Sequence, residues 1–215
     1  IPQGKEELFE SLSGECSHLY LAIDGVLAAV IAITDPIREE APRVVSMLRK
    51  CGLSKIVMMT GDSERTAKVV AAKVGVDEYY SEVLPEDKAS YVEKEHQAGR
   101  KVIMIGDGVN DSPALSAADV GIAICDGAEM AREIADITIA GDNLEELVTL
   151  KRLSNALVKR IHGNYRQIVG FNTGLILCGI GGVMQPATSA LLHNTSTLAI
   201  SVKSMKDLLN ENDEK

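Results

Sequence analysis

Three polar turns in this chain carry the residue types that handle phosphate. Thr60-Gly61-Asp62 follows the apolar run Ile56 to Met59, and Gly106-Asp107-Gly108-Val109-Asn110-Asp111 follows Val102 to Ile105. Between them, Pro85-Glu86-Asp87-Lys88 opens another segment. Asp107 and Asp111 stand four apart in a glycine-rich turn, so both carboxylates can face one point. Their oxygens suit a hard cation such as Mg²⁺, which shares its ligands with a phosphate. Thr60, the backbone beside it and the following helix N-terminus offer donors to phosphate oxygens. Lys88 adds a point charge for the same anion. One Gly-Asp-Gly turn alone is merely a turn; three polar turns after successive strands point to a phosphate and Mg²⁺ site.

The elements that must position these residues read as strand, helix, strand, helix. Leu19 to Ile23 and Val26 to Ile33 are apolar runs on either side of Asp24-Gly25, a dipeptide that supplies the positive φ of a tight hairpin turn. After Pro36, Ile37, Ala41, Val44, Val45 and Leu48 recur at helical spacing, and Gly52 closes the segment. Ile56 to Met59 predicts a buried strand and Glu64 to Val74 a helix ending at Gly75. Pro85 to His96 predicts a helix closed by Gly99, and Val102 to Ile105 a strand. A helix from about Ser112, a strand at Val120 to Ile124 and a helix from Ala128 complete the series. The alternation implies an α/β fold with a largely parallel sheet covered by helices. In such sheets ligands collect at the carboxyl ends of the strands, where the polar turns stand.

Composition narrows the class. The chain has 215 residues, a formal charge of −9, 46% apolar and 25% charged residues, which excludes disorder for most of it. The acidic balance argues against a nucleic-acid partner, because phosphate backbones require a basic face. Cys16, Cys51, Cys125 and Cys178 form no C-x-x-C pair and read as reduced thiols. Ile1 in place of a starting Met suggests a piece of something longer. From Gln167 to Val202 the 36 residues include no Asp, Glu, Lys or Arg. Gly181, Gly182 and Pro186 divide this stretch into two apolar segments, each slightly under the ~20 residues a helix needs to cross a bilayer. Lys159, Arg160 and Arg166 precede it and Lys203 and Lys206 follow it. The expectation is a transmembrane helical hairpin with both ends on the cytoplasmic side; a buried pair in a soluble core is the alternative.

Thr60-Gly61-Asp62, Pro85-Glu86-Asp87-Lys88 and the run MIGDGVNDSPAL from Met104 to Leu115 resemble the phosphorylation domain of P-type ATPases, members of the haloacid dehalogenase superfamily. Asp35-Pro36-Ile37-Arg38 resembles the hinge motif of that family. The tail from Asn164-Tyr165-Arg166-Gln167 through His193-Asn194-Thr195-Ser196-Thr197 is similar to the last two membrane helices of its heavy-metal-transporting branch. The resemblance implies that Asp107 and Asp111 hold Mg²⁺, that Asn110 and Thr60 contact the phosphoryl oxygens and that Lys88 neutralises developing charge. Gly61 belongs to the same motif, while Asp62, Asp35 and Arg38 shape the hinge and the closed domain arrangement. It further implies ATP and Mg²⁺ as cofactors. The implied location is a bacterial or archaeal plasma membrane with the catalytic part in the cytoplasm. The implied partners are the membrane, a transition-metal cation and the amino-terminal part of the same ATPase.

The covalent step of that family belongs to an aspartate in D-K-T-G-T, and no Asp-Lys-Thr occurs here. Leu21 to Leu27 resembles the D-x-D-G-x-L motif of soluble phosphatases in the superfamily, with Ala22 at the nucleophile position and only Asp24 retained. Two residues along a strand is roughly 6.6 Å, too far to attack the same phosphorus. The expected organisation is therefore a hairpin region over 1–34 and a partial phosphorylation domain lacking its nucleophile strand over 35–160. Two transmembrane helices over 161–207 and a polar tail over 208–215 complete it. Three functions follow: part of a metal-transporting ATPase, a catalytically silent membrane-anchored interaction module, or a phosphatase using Asp24. For the transported metal, His193, Asn194, Asn172, Cys178 and Met184 are candidates, joined by Ser196 and Thr197. An intramembrane imidazole is costly and tends to face a functional interior, although a purely structural hydrogen bond would also retain it. Thiol and thioether favour Cu⁺ whereas imidazole suits Zn²⁺, Co²⁺ or Ni²⁺, so the donor types leave the metal open.

Overall fold

The computed structural model describes residues 16–33, 36–106, 110–124, 134–139 and 143–209. The chain divides into two compact units, Ile1–Leu147 and Val148–Lys215. Asp35, Asp107 and the expected helix from Ala128 lie outside the described residues, as does most of the polar tail.

In the first unit, β1 (Ser17–Ile23) and β2 (Val26–Ile33) form an antiparallel hairpin with Ile23 opposite Val26. Asp24 and Gly25, both at positive φ, make the two-residue turn, whose twist matches that of the flanking strands. Apolar side chains remain uncovered on both faces of this ribbon, Leu19, Leu21, Val26 and Ile33 among them. A lone two-stranded ribbon is marginal in water, so these faces require a cover.

Helix α1 (Ala41–Lys50) buries Val44 and Leu48, two positions of its predicted apolar stripe. Strand β3 (Val57–Met59) leads to α2 (Glu64–Val74), capped by the Ser63 hydroxyl, which accepts from the Thr66 amide, and closed by Gly75 at φ +81°. Strand β4 (Glu78–Tyr80) pairs in parallel with β3 and was not foreseen, because Glu-Tyr-Tyr is too short to show a period. Helix α3 (Pro85–Gln97) starts at its proline, and the Asp87 carboxylate accepts from the Leu84 amide. Strand β5 (Ile103–Gly106), helix α4 (Ser112–Ala117), β6 (Val120–Ile124) and β7 (Ile137–Ile139) follow, with β5, β6 and β7 in one parallel sheet. The core between α3, α4 and β5 consists of Val92, Met104, Ala114 and Leu115, with Met59 of β3 packed against it.

The parallel strands thus occur as two sheets, β3-β4 and β5-β6-β7. Among the described residues β3 pairs only with β4, and β5 only with β6.

The second unit is a helical hairpin of α5 (Glu145–Ile180), which starts in the first unit, and α6 (Pro186–Ser204). The expected turn at Gly181-Gly182 is present, with Gly182 at φ +68°. Two transmembrane helices are the expectation for 161–207; among the described residues no helix is long and apolar enough to cross a membrane. Freedom from charge is not the same as hydropathy. Asn172, Thr173, Thr188, Ser189, His193, Asn194, Thr195, Ser196 and Thr197 carry no charge, yet their polar groups dilute the apolar content of both helices.

Candidate phosphate and divalent-cation site

The Thr60 turn is rigidly built. The Thr60 amide donates to the Tyr80 carbonyl at 3.0 Å, and the Val83 amide donates to the Thr60 carbonyl at 3.0 Å. Its hydroxyl donates to Asp62 Oδ2 at 2.8 Å and accepts from the Asp62 amide at 3.1 Å. The Asp62 carbonyl accepts from the Glu82 amide at 2.9 Å. Thr60-Gly61-Asp62 is therefore fastened to the loop after β4, and Gly61, Asp62 and Ser63 are exposed.

Across the break between the sheets, Lys88 and Asp111 meet. Lys88 lies in the first turn of α3, and Asp111 stands at the N-cap position of α4. Lys88 Nζ lies 2.6 Å from Asp111 Oδ1, and both side chains are largely withdrawn from solvent, at 15% and 11% exposure. Sequence spacing assigned Lys88 to an anion and Asp111 to a cation. The structure joins these two residues, 23 positions apart, in one ion pair. Ion pairs withdrawn from water persist only when geometry and hydrogen bonding offset desolvation.

Gly106, the last residue of β5, explains how Asp111 fits. A Cβ at position 106 would overlap the Asp111 carboxylate, its Cβ included, well inside van der Waals contact. The glycine-rich composition of the turn was legible; that Gly106 clears space for this particular carboxylate was not. Asn110 is exposed beside Asp111. Asp107, the second expected carboxylate, lies outside the described residues. Arg38 is on the surface, 4.0 Å from Glu40.

A second charged group supports the site from behind. Glu95 is nearly buried at the end of α3 and pairs with Arg100, and Lys55 lies 3.7 Å from it. The Arg100 hydrogen bond, assisted by Tyr91, lowers the Glu95 carboxyl to about 2. Asp119, after α4, is held well below the usual carboxylate range by Lys101, by the Val102 amide and by His96. These pairs fasten α3 and β5 in the positions that bring Lys88 to Asp111.

In the second unit, His193 Nδ1 lies 2.8 Å from Asn172 Oδ1 across the hairpin. Of the candidate metal ligands, these two are brought together. Cys178 and Met184 are half-buried and Asn194 is exposed. Among the described residues no cluster of three His, Cys, Asp or Glu side chains could hold a metal ion. Asp24 sits in the turn of an antiparallel hairpin rather than at the end of a parallel strand, which removes the geometry required of a nucleophile.

The family model for haloacid dehalogenase-like hydrolases matches residues 1–119. The chain belongs to that family. Within it, the relatives are heavy-metal P-type ATPases. The zinc-exporting P-type ATPase of Mycobacterium marinum is 42% identical over 189 residues, which is 87% of this chain and 26% of that protein. Copper-transporting ATPase 2 of Rhizobium meliloti is 43% identical over 176 residues, 82% of this chain and 21% of that protein. The crystal structure of a zinc-transporting PIB-type ATPase in the E2.Pi state superposes with a TM-score of 0.82 at 28% identity, covering 98% of this haloacid dehalogenase-like chain and 34% of the other. The chain thus spans about a quarter of the length of the curated relatives.

Proposed function

We propose that this chain is the carboxyl-terminal part of an ATP-driven heavy-metal cation transporter, contributing the Mg²⁺ and phosphate half of its phosphorylation site and part of its transport pathway. The observation that carries this reading is the Lys88–Asp111 pair held beside Gly106 at the end of β5. Asp111, 8% exposed, offers an anionic oxygen donor, and Asp107 adds a second carboxylate in the same turn, a donor set that fits Mg²⁺. When bound, the ion would neutralise charge on a phosphoryl group. Lys88 orients Asp111 and adds its own positive charge. Thr60 and Asn110 offer hydrogen bonds to phosphoryl oxygens, so this half acts by positioning and preorganised electrostatics. The attacking aspartate belongs to a segment outside this chain, since no Asp-Lys-Thr occurs in it.

The hairpin of α5 and α6 would sit among the other helices of the transporter in a bacterial or archaeal plasma membrane. Uncovered Ile176, Leu177, Ile180, Val183 and Leu191 support an apolar surrounding there. His193 and Asn172 would face the cation path. Relatives of nearly equal identity are named for zinc, manganese and copper, so the cargo is a transition-metal cation of unassigned identity. The edges of β3 and β5 that have no strand partner among the described residues favour a compatible second reading, in which the chain by itself is catalytically silent until its amino-terminal part completes the sheet.

The test is Mg²⁺-dependent binding of a metal-fluoride phosphoryl mimic to the full-length protein that carries this chain. Asp111→Ala and Lys88→Ala should each weaken it by about tenfold or more, the loss of one charge-assisted contact. Wild-type affinity in both variants would overturn the site.

A further inference from the structure

At the open end of the α5–α6 hairpin, away from the Gly181-Gly182 turn, lies a cavity of about 390 Å³. Three cations line it, Lys159 and Arg160 from α5 and Lys203 from α6, together with Asn164, Gly163 and Leu208. No acidic side chain is among the described lining residues. The three cations are committed to different degrees. Arg160 donates to the carbonyl of Ser204 (3.1 Å), the last residue of α6, and to those of Lys206 and Asp207 (2.7 Å) just beyond it. It thereby offsets the negative end of the helix dipole, which would otherwise repel an anion from this spot. Lys203 donates to Gln167 Oε1 at 3.0 Å, a neutral acceptor that leaves its charge uncompensated. Lys159 is exposed and has no partner among the described residues. Gly163 has no atom within 4 Å of where a Cβ would stand, so the cavity floor is open.

We infer that this cavity binds the phosphate group of an anionic phospholipid. The inference rests on the membrane reading of the hairpin: the cavity lies at the basic end of helices whose other surfaces expose Phe171, Ile176, Leu177 and Leu198. A basic pocket between helices at the cytoplasmic border is where an anionic headgroup finds both its charge partners and an apolar surface for its chains. Two uncompensated ammonium groups supply the donors a phosphodiester requires, joined by the second amide hydrogen of Asn164, whose first goes to Ser204 Oγ at 2.7 Å, and Leu208 lines one side. Free inorganic phosphate shares the headgroup chemistry but gains nothing from the apolar helix surface.

The experiment uses the full-length protein in nanodiscs of pure phosphatidylcholine, with short-chain phosphatidylglycerol, short-chain phosphatidylcholine and inorganic phosphate added in turn, and bound ligand counted by native mass spectrometry. Phosphatidylglycerol should bind at least fivefold more tightly than phosphatidylcholine. Lys159→Ala combined with Lys203→Gln should abolish the preference, while Lys151→Ala, which removes one charge elsewhere on α5, should not. Arg160 is left intact because it caps α6. Inorganic phosphate binding as tightly as phosphatidylglycerol, or a preference unchanged in the double variant, would overturn the inference. Failure of the protein to enter nanodiscs at all would instead overturn the membrane reading beneath it.

Discussion

Asp111 depends on a neighbour without a side chain. Gly106→Ala would push a methyl group into the space of its carboxylate, so the expected result is a loss of metal-fluoride binding together with about 1–3 kcal/mol of destabilisation, read from urea unfolding. Carboxylates that do not share this turn are the contrast: Asp107→Ala and Asp111→Ala should weaken the mimic more than Asp126→Ala, and equal effects from all three would contradict the assignment. Glu95 gives a different observable. Its carboxyl lies near 4.5 when unfolded and at about 2 when folded beside Arg100. The stability it contributes is therefore complete above about pH 4.5 and is lost as pH falls toward 2. Glu95→Gln should flatten the decline of the urea midpoint between pH 5 and 2.5, whereas an unaltered slope would mean that the Arg100 contact does not set this titration.

At the scale of elements, the hairpin of α5 and α6 offers the sharpest test of location. Single cysteines placed at Asn155 and Asn210 in sealed vesicles should be labelled from the same side if the chain inserts as a hairpin. Labelling from opposite faces would contradict that arrangement, and release by alkaline carbonate would mean that it never inserted. Elements with several independent signals were legible from sequence. The Asp24-Gly25 turn, Gly75 at the end of α2, and Pro85 at the start of α3 each fix a boundary by local chemistry. Two of the three-residue strands were not: Glu-Tyr-Tyr and Ile-Thr-Ile are strands only because a neighbouring strand accepts them. The site was legible as a set of turns, but the pairing of Lys88 with Asp111 depends on the packing of α3 against α4, which no spacing encodes. The hairpin shows the converse, since an absence of charged residues predicted its two helices and overstated their apolarity.

For the whole molecule, the absence of Asp-Lys-Thr from the sequence is what a labelling experiment addresses. The 215-residue chain alone should take no label from γ-phosphate ATP, because no Asp-Lys-Thr is present and Asp24 lies in an antiparallel turn. Co-expression with a segment bearing D-K-T-G-T and the nucleotide-binding domain should bring acid-stable, hydroxylamine-sensitive labelling on that segment and a gain in solubility, as the open strand edges become paired. Labelling of an aspartate in the lone chain would overturn the missing-nucleophile reading.

The break between the two parallel sheets also bears on how protection from solvent is distributed in time. No ladder hydrogen bond crosses from β3 to β5 among the described residues, and the halves communicate through side chains such as Met59 on the Val92 and Met104 core. Each half is closed by contacts between near neighbours in sequence, the condition under which segments open as separate cooperative units. Amide hydrogen exchange of the lone chain should therefore resolve two populations, with β5 and β6 exchanging slowly behind α4 and β3 and β4 exchanging earlier. Addition of the complementing segment should merge the two into one.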